Sequence, residues 1–203
     1  MSGSGTARPR QARVALLGGS FDPVHLGHLH VAEVVLATGA YDQVLFVPAH
    51  LPSHKPGALA APDHRLTMLR LAISRRPGLA VSDVELRRGG VSYTVDTVRQ
   101  LQRDGTLGMR PGLVVGDDLG AELDTWREAE ALFGMVELLV ARRTRQEAPL
   151  AFPHRRLANH PLPLSSSELR RRVRAGRVIR ALVPDQVDAY IREQGLYGRR
   201  GNG

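Results

Sequence analysis

The sequence has 203 residues, of which 42% are hydrophobic and 24% are charged, and it carries a formal net charge of +8. This composition excludes a wholly disordered chain, and no apolar run reaches the length of about 18 residues that a transmembrane helix requires. The sequence contains no cysteine, which excludes disulfide bonds, thiolate metal ligands and cysteine nucleophiles. We therefore expect a soluble cytoplasmic protein without a membrane partner, whose positive charge favours anionic ligands.

Short apolar runs alternate with amphipathic stretches along the chain. The apolar runs predict buried strands over residues 13–17, 43–47, 79–84, 113–115 and 135–141. Helical spacing, closed in most cases by Gly or Pro, predicts helices over residues 26–37, 64–76, 94–103, 166–175 and 186–193. This alternation is typical of an α/β fold, so we predict one Rossmann-like, doubly wound domain with a mostly parallel sheet and a C-terminal helical segment.

The domain is predicted to span residues 13–197, between disordered tails at 1–12 and 198–203. The long polar stretch at 142–163 is predicted to be a loop that forms a mobile flap or an edge segment. In doubly wound sheets, ligands bind beyond the carboxyl ends of the strands and near helix N-termini. Residues that follow the predicted strands are therefore the candidates for a functional site.

The first predicted strand leads into GGSFDPVHLGH, residues 18–28. Gly18 and Gly19 have no side chain, so a phosphate can approach the backbone closely. His25 and His28 are three residues apart at the start of a helix, which places both imidazoles on one face near the positive end of the helix dipole. The pattern favours a phosphate-binding site, and the alternative is a turn with two surface histidines. No third ligand has metal-binding spacing, so no protein metal site is predicted.

Two further segments carry basic or hydroxyl side chains that suit anions. His54 and Lys55, the only lysine, lie in the proline-rich loop at 48–62, which would close over a polyphosphate or remain a solvated surface loop. In LSSSELRRRVRAG, Ser165 and Glu168 have capping-box spacing, so a helix start with a second anion site is predicted. The alternative is a capped helix whose arginines face solvent.

Smaller signals follow other predicted strands. Tyr93 and Thr94 precede a helix, where they would frame a ligand or form only an N-cap. The carboxylates of Gly116-Asp117-Asp118 would hold a ribose or cap the next helix. Trp126, the only tryptophan, would be part of the core or of a pocket wall.

At this point the motifs resemble a known family. GGSFDPVHLGH resembles the phosphate-binding element of the HxGH nucleotidyltransferases, and SSSELR resembles their second motif, usually ISSTxxR. With LPSHKP, SYTVDT, VVGDD, TW and LVPDQVDAYIREQGLY, the sequence resembles the bacterial nicotinate-nucleotide adenylyltransferases over residues 13–197. The resemblance implies adenylyl transfer from ATP to nicotinate mononucleotide, giving deamido-NAD and pyrophosphate. It further implies Mg²⁺ bound through the ATP phosphates, and in-line attack without a covalent enzyme intermediate.

The resemblance also implies roles for individual residues. The residues expected to act on the reacting phosphates are His25, His28 and Lys55. Those expected to bind ATP are Gly18, Gly19, Ser20, His25, His28, Gly116, Asp118, Ser166, Ser167 and Arg170. Those expected to bind the nicotinate nucleotide are His54, Lys55, Tyr93, Thr94 and Trp126.

The chain departs from the family pattern at several positions. Ser20 and Ser167 replace a common Thr, and Leu164 replaces a common Ile, all of them mild changes. Asp117 stands where an uncharged polar or small residue is common. Arg142-Arg143-Thr144-Arg145 lacks the Pro-Gly often found there, so the sequence does not identify which arginine serves the adenine side.

Three hypotheses follow for the function. The first is the nicotinate-nucleotide adenylyltransferase, acting without a stable nucleic-acid partner and with its oligomeric state left open. The second is an adenylyltransferase of the same superfamily with another acceptor, nicotinamide mononucleotide or phosphopantetheine. The third is an arginine-rich nucleic-acid-binding module without catalysis, which predicts affinity with a steep salt dependence.

Overall fold

Six parallel strands form the central sheet in a computed structural model that describes residues 11–52, 60–144 and 149–198. In sheet order these strands are β4 (Leu79–Val81), β2 (Gln43–Pro48), β1 (Val14–Gly19), β6 (Gly112–Gly116), β7 (Glu137–Ala141) and β8 (His154–Arg156). A second, two-stranded parallel sheet pairs β3 (Leu51–Pro52) with β5 (Val91–Ser92). In chain order the central strands read 3-2-1-4-5-6, which is the doubly wound, Rossmann-like arrangement. The predicted fold class is confirmed.

Seven α-helices within the described residues connect or follow these strands. They are α1 (Leu26–Ala37), α2 (Pro62–Ile73), α3 (Val84–Arg88), α4 (Thr94–Arg103), α5 (Ala129–Met135), α6 (Ser166–Arg174) and α7 (Asp185–Glu193). The predicted bounds of α1 and α4 match those observed. Both helices are followed by a glycine with positive φ, Gly39 at 64° and Gly105 at 73°, a conformation that ends a helix at little steric cost for glycine.

Two apolar layers hold the helices against the faces of the sheet. On β1, Ala15 and Leu17 point into one layer while Val14 and Leu16 point into the other, because side chains alternate along a strand. The first layer packs α1, α2 and α7 against the sheet, and the second packs α4 and α5. Buried on both faces, the strands read as continuous apolar runs, which is the signal that their prediction used.

The prediction was wrong at three places where short elements interrupt a longer pattern. The strand predicted at 79–84 ends at Val81, and Val84 begins α3 as a buried residue of the second layer. Met135, predicted as the start of a strand, ends α5. The stretch at 142–163 is not a loop throughout: it contains β8, whose three exposed residues pair with β7 at the sheet edge, as the edge-segment alternative expected. A polar, exposed edge strand gives no apolar run to detect.

The strand order reverses between β1 and β6, which both leave the sheet at the same end. Their connections run to opposite faces, so a crevice opens beyond the carboxyl ends of these strands. A nine-residue 3₁₀ segment, Asp117–Thr125, follows β6 directly and forms part of this crevice. In the part of the chain that the structure describes, no helix is long and apolar enough to cross a membrane.

Candidate active site

A cavity of about 940 Å³ lies beyond the carboxyl ends of β1 and β6. Every described residue to which the family resemblance assigned a site role lines this cavity. They are Gly18, Gly19, Ser20, His25, His28, Tyr93, Thr94, Gly116, Asp118, Trp126, Ser166, Ser167 and Arg170. The fold therefore brings together residues from four separate segments of the sequence.

The two histidines of the first motif stack at the start of α1. Their ring centroids are 3.7 Å apart with an interplanar angle of 24°. His28 Nδ1 accepts a hydrogen bond from the backbone N–H of His25 at 3.2 Å. Because Nδ1 is the acceptor, the ring proton of neutral His28 belongs to Nε2, which makes that nitrogen a donor. Phe21 supports the pair through an edge contact with the His28 ring, at 5.0 Å between centroids.

His25 is the more buried of the two, with 2% of its surface exposed. Neither of its ring nitrogens has a hydrogen-bond partner within the described chain. Burial, and secondarily the positive charge of Arg143, lower the pKa of His25 from 6.5 to about 4. His25 is therefore neutral at pH 7 and presents one unpaired donor and one unpaired acceptor. Buried polar groups are rarely left unpaired, so this ring marks a place where a ligand would complete the hydrogen bonds.

The first turn of α6 forms the opposite wall of the same end of the cavity. Ser165 caps the helix by accepting from the backbone N–H of Glu168 at 3.2 Å, as its spacing predicted. The Ser166 hydroxyl donates to the Pro23 carbonyl at 2.9 Å, which joins α6 to the first motif. Since a hydroxyl has one hydrogen, Ser166 would donate to a ligand through its backbone N–H. The Arg170 guanidinium donates to the Ser167 hydroxyl and to the Asp22 carbonyl.

Asp22, fully buried, holds several of these parts in place. Its carboxylate accepts from the Tyr197 hydroxyl at 2.7 Å and lies 3.4 Å from the Arg170 guanidinium. Arg65, also buried, donates instead to four backbone carbonyls, among them that of Ser20 at 3.0 Å. Burial lowers the pKa of Arg65 and raises that of Tyr197, which stays a neutral donor at ordinary pH. The C-terminal segment thus contributes a support for the first motif.

Two aromatic side chains, Tyr93 and Trp126, also line the cavity. Tyr93 precedes α4, Thr94 begins it, and Trp126 follows the 3₁₀ segment. The Arg127 guanidinium lies over the Tyr93 ring at 4.7 Å, a cation–π contact that fixes the ring. Glu85 is buried beneath this wall and accepts from the Thr97 hydroxyl at 2.6 Å, and burial raises the pKa of its carboxyl. Sequence reasoning missed Glu85, because residues 79–84 read as a strand and the short helix α3 that carries Glu85 was not predicted.

Two predicted site residues, His54 and Lys55, lie outside the described residues, so their placement stays a prediction. Within residues 11–52, 60–144 and 149–198, no group of three or more His, Asp or Glu side chains has the arrangement of a metal site. The two carboxylates of the cavity wall already have partners: Asp118 is paired with Arg143 at 3.2 Å, and Glu85 accepts from Thr97.

Comparison with known proteins identifies the family of the chain. Residues 16–172 match the model of the cytidylyltransferase-like family. The chain is 42% identical to a probable nicotinate-nucleotide adenylyltransferase of Symbiobacterium thermophilum, with 93% of this chain and 96% of that protein covered. It is also 42% identical to a protein of the same name from Bordetella petrii, with 91% and 98% covered. The chain belongs to the nicotinate-nucleotide adenylyltransferase family.

A solved structure agrees with this family in its fold. Plasmodium falciparum nicotinic acid mononucleotide adenylyltransferase complexed with NaAD matches with a TM-score of 0.76 at 19% identity, over 92% of this chain and 97% of that one. The family and the class of enzyme that the motifs predicted are confirmed. The nicotinate-nucleotide adenylyltransferase family is favoured over both alternatives, an adenylyltransferase with another acceptor and a nucleic-acid-binding module.

Several residues of this nicotinate-nucleotide adenylyltransferase site were not singled out from the sequence. Asp22, Arg65 and Tyr197 come from three distant segments, and only the fold shows that they share one buried network. Arg143 also lines the cavity. Asp117 was considered as a ribose ligand or a helix cap, whereas its carboxylate instead accepts from the backbone N–H of Arg143. The departures from the family pattern at 117 and at 142–145 marked both positions in the sequence without showing this contact.

Proposed function

We propose that the protein transfers the adenylyl group of ATP to nicotinate mononucleotide, with the reacting phosphates bound between the N-termini of α1 and α6. The observation that carries this proposal is the convergence of three features in one cavity. These are the unpaired, neutral His25 beside the Nε2 donor of His28, the capped start of α6 with Arg170, and the aromatic wall of Tyr93 and Trp126. The membership of the chain in the adenylyltransferase family supports the same reaction.

The ATP phosphates would bind at the two helix starts. Gly18 leaves open space where a side chain would stand, and the first turn of each helix offers N–H groups and the positive end of its dipole. His28 Nε2, one nitrogen of His25, and Arg170 would donate to the phosphate oxygens, together with Ser20, Ser166 and Ser167. Gly116 and Asp118 would lie against the adenosine, with the Asp118 carboxylate accepting from a ribose hydroxyl.

The acceptor would bind at the aromatic end of the cavity. Tyr93 is not one of the short oxygen-bearing residue types that cap a helix, so the first-turn N–H groups of α4 are available to a ligand. A carboxylate is favoured there over a neutral carboxamide, because it accepts from several donors and is attracted by the helix dipole. Thr94 and Trp126 would frame the pyridine ring. His54 and Lys55 would lie near the reacting phosphates.

The reaction is a single displacement at phosphorus. A phosphate oxygen of the mononucleotide attacks the α-phosphorus of ATP, a new P–O bond forms, and the bond to the bridging oxygen breaks so that pyrophosphate leaves with its electron pair. No side chain forms a covalent bond to the nucleotide. The histidines and Arg170 act by positioning the two substrates and by donating hydrogen bonds to the charge that develops on the phosphate oxygens.

Mg²⁺ would enter with ATP, bound by phosphate oxygens rather than by a set of protein carboxylates. Its chemistry is the neutralisation of phosphate charge. Both proposed substrates are cellular metabolites, so we expect the enzyme to act in the cytoplasm.

The test is pyrophosphate release from ATP and Mg²⁺, with nicotinate mononucleotide, nicotinamide mononucleotide and phosphopantetheine offered separately. We expect strong release with the first acceptor and weak release with the second. Release only with phosphopantetheine would overturn the acceptor assignment. An absence of release with all three, from folded protein, would overturn the proposed reaction, and a salt-dependent titration with RNA would then test the binding-module hypothesis.

A further inference from the structure

Two buried side chains hold the backbone of residues 142–144, which directly follow β7. Asn159 pairs with the backbone of Arg142 in both directions: its Oδ1 accepts from the N–H and its Nδ2 donates to the carbonyl, each at 2.8 Å. Asp117 holds the next two residues. Its Oδ1 accepts from the N–H of Arg143 at 2.8 Å and of Thr144 at 3.0 Å, and its Oδ2 accepts from the Thr144 hydroxyl at 3.2 Å.

The position of Asp117 explains why it can reach this segment. It is the first residue after β6, and β6 pairs with β7 up to the Gly116–Ala141 register. The hydrogen bonds of Asp117 therefore cross between the ends of two neighbouring strands. Asp117 and Asn159 are each 7% exposed. A buried carboxylate is strongly unfavourable unless donors surround it, and three donors from residues 143 and 144 meet this need.

The fixed backbone directs the side chain of Arg143 into the cavity. Its guanidinium lies 3.2 Å from the Asp118 carboxylate, and its aliphatic part lies over Gly116, where a Cβ would collide with it. Its charge is also close enough to His25 to lower the pKa of that ring, after the larger effect of burial. The cation thus lies between the proposed adenosine side and the proposed phosphate side.

We propose that Asp117 is a positioning residue for nucleotide binding, which fixes the backbone of Arg143 and Thr144 so that the Arg143 guanidinium binds ATP beside Asp118 and His25. The inference rests on the proposed function for the identity of the nucleotide. It also joins the two departures from the family pattern, at 117 and within 142–145. A proline at 143 would have no N–H for Asp117 to accept, so a carboxylate at 117 and a non-proline residue at 143 suit each other.

The test combines a double-mutant cycle with two readouts, the Kd of ATP measured by calorimetry and the KM values for both substrates. For Arg143→Ala we expect the Kd and KM of ATP to rise about tenfold, with the KM of the mononucleotide little changed. Asp117→Ala should raise the Kd and KM of ATP about fivefold. The double variant should bind ATP no more weakly than Arg143→Ala alone. Asp117→Asn should restore near-normal ATP binding, because its amide oxygen can accept from both N–H groups and its nitrogen can donate to Thr144.

The matched control is Asp124→Ala, an exposed aspartate of the same 3₁₀ segment, which should leave ATP binding unchanged. If Asp117→Ala does not fold, Asp117→Ser replaces it, because a hydroxyl there is too short to reach both N–H groups. An Asp117 variant that loses thermal stability but binds ATP normally would overturn the positioning role. Additive effects of the two substitutions would overturn it as well.

The two readouts separate this inference from the proposed function. Wild-type protein that binds ATP but releases no pyrophosphate with nicotinate mononucleotide would contradict the proposed acceptor, while the calorimetric cycle would still test Asp117 and Arg143. Wild-type turnover together with an unchanged ATP Kd in Arg143→Ala would contradict the inference and leave the proposed function intact.

Discussion

At the scale of single residues, the two histidines of the first motif have different protonation constraints. The backbone N–H of His25 fixes His28 as an Nε2 donor, and burial keeps His25 neutral. Neutral imidazoles at the start of a helix can donate to phosphate oxygens without carrying a proton to the leaving group. This agrees with a displacement that needs positioning and charge stabilisation rather than general acid catalysis.

His28→Ala should lower kcat by about 10² or more while the fold is retained, because the donor acts on charge that develops in the transition state. The measurement is steady-state turnover together with the thermal midpoint. His154→Ala, which removes an exposed histidine on β8, is the control and should behave as wild type. Normal turnover in His28→Ala would remove this residue from the reacting end of the cavity.

The depressed pKa of His25 makes a prediction about stability in acid. The unfolded chain takes up a proton at this ring near pH 6.5, whereas the folded protein does so only near pH 4. The unfolded state therefore binds more protons between these values, and the free energy of unfolding must fall as the pH is lowered from 6.5 to about 4. His25 alone accounts for a loss of about 3 kcal/mol over this window.

Urea unfolding of ligand-free protein at several pH values measures this effect. The His25→Gln variant, which cannot take up the proton, should lose about 3 kcal/mol less than wild type on the same acidification. If the free energy of unfolding fell by the same amount in both proteins on acidification, His25 would not be buried as a neutral ring.

At the scale of elements, α6 is the part that links the second motif to the first. The Ser166 hydroxyl and the Arg170 guanidinium both bind backbone carbonyls of the Asp22–Pro23 turn, so the start of α6 and the start of α1 are held as one unit. Tyr197 adds a third contact to Asp22 from the chain segment after α7. Two helix starts that are separate in the sequence are thereby joined by hydrogen bonds into one frame.

Arg170→Ala should therefore weaken ATP binding more than it lowers kcat, because the guanidinium would contact phosphate oxygens in the ground state as well as in the transition state. We expect the KM of ATP to rise about tenfold or more. The measurement is an ATP titration at saturating acceptor, with Arg177→Ala, an exposed arginine beyond α6, as the control. An unchanged KM of ATP would remove Arg170 from the site.

Short-range patterns predicted the main elements and located the two motifs that line the cavity. The four central strands, β1, β2, β6 and β7, are mostly buried, and the major helices have clear caps or glycine stops, so apolar runs and helical spacing were sufficient to locate them. The same rules failed for α3 and β8, since one is a single buried turn and the other a fully exposed edge strand. Pairing with a neighbour, rather than local preference, stabilises such elements.

The supports of the site could not be predicted in the same way. The contact of Asp22 with Tyr197 and that of Asp117 with Arg143 join residues that are far apart in the sequence. Each side chain is ordinary for a loop or a helix start when considered alone. Only the parallel order of the sheet, which places the ends of β1, β6 and β7 together, brings these groups within hydrogen-bond distance.

At the scale of the whole molecule, the net charge and the residues of the site both favour anionic ligands. The net charge of +8 and the arginines of the cavity wall favour substrates that are both anionic. The charge therefore does not require a nucleic-acid partner. The distinguishing feature is the acceptor end, where the start of α4 would favour a carboxylate on the pyridine ring.

Competition between the two mononucleotides tests this account most directly. Nicotinate and nicotinamide mononucleotides are mixed in equal amounts with limiting ATP and Mg²⁺, and the two dinucleotide products are separated and quantified. The product ratio equals the ratio of the two kcat/KM values, whatever the rate-limiting step. We predict that deamido-NAD dominates. A mixture dominated by NAD, or one that contains neither dinucleotide, would contradict the account.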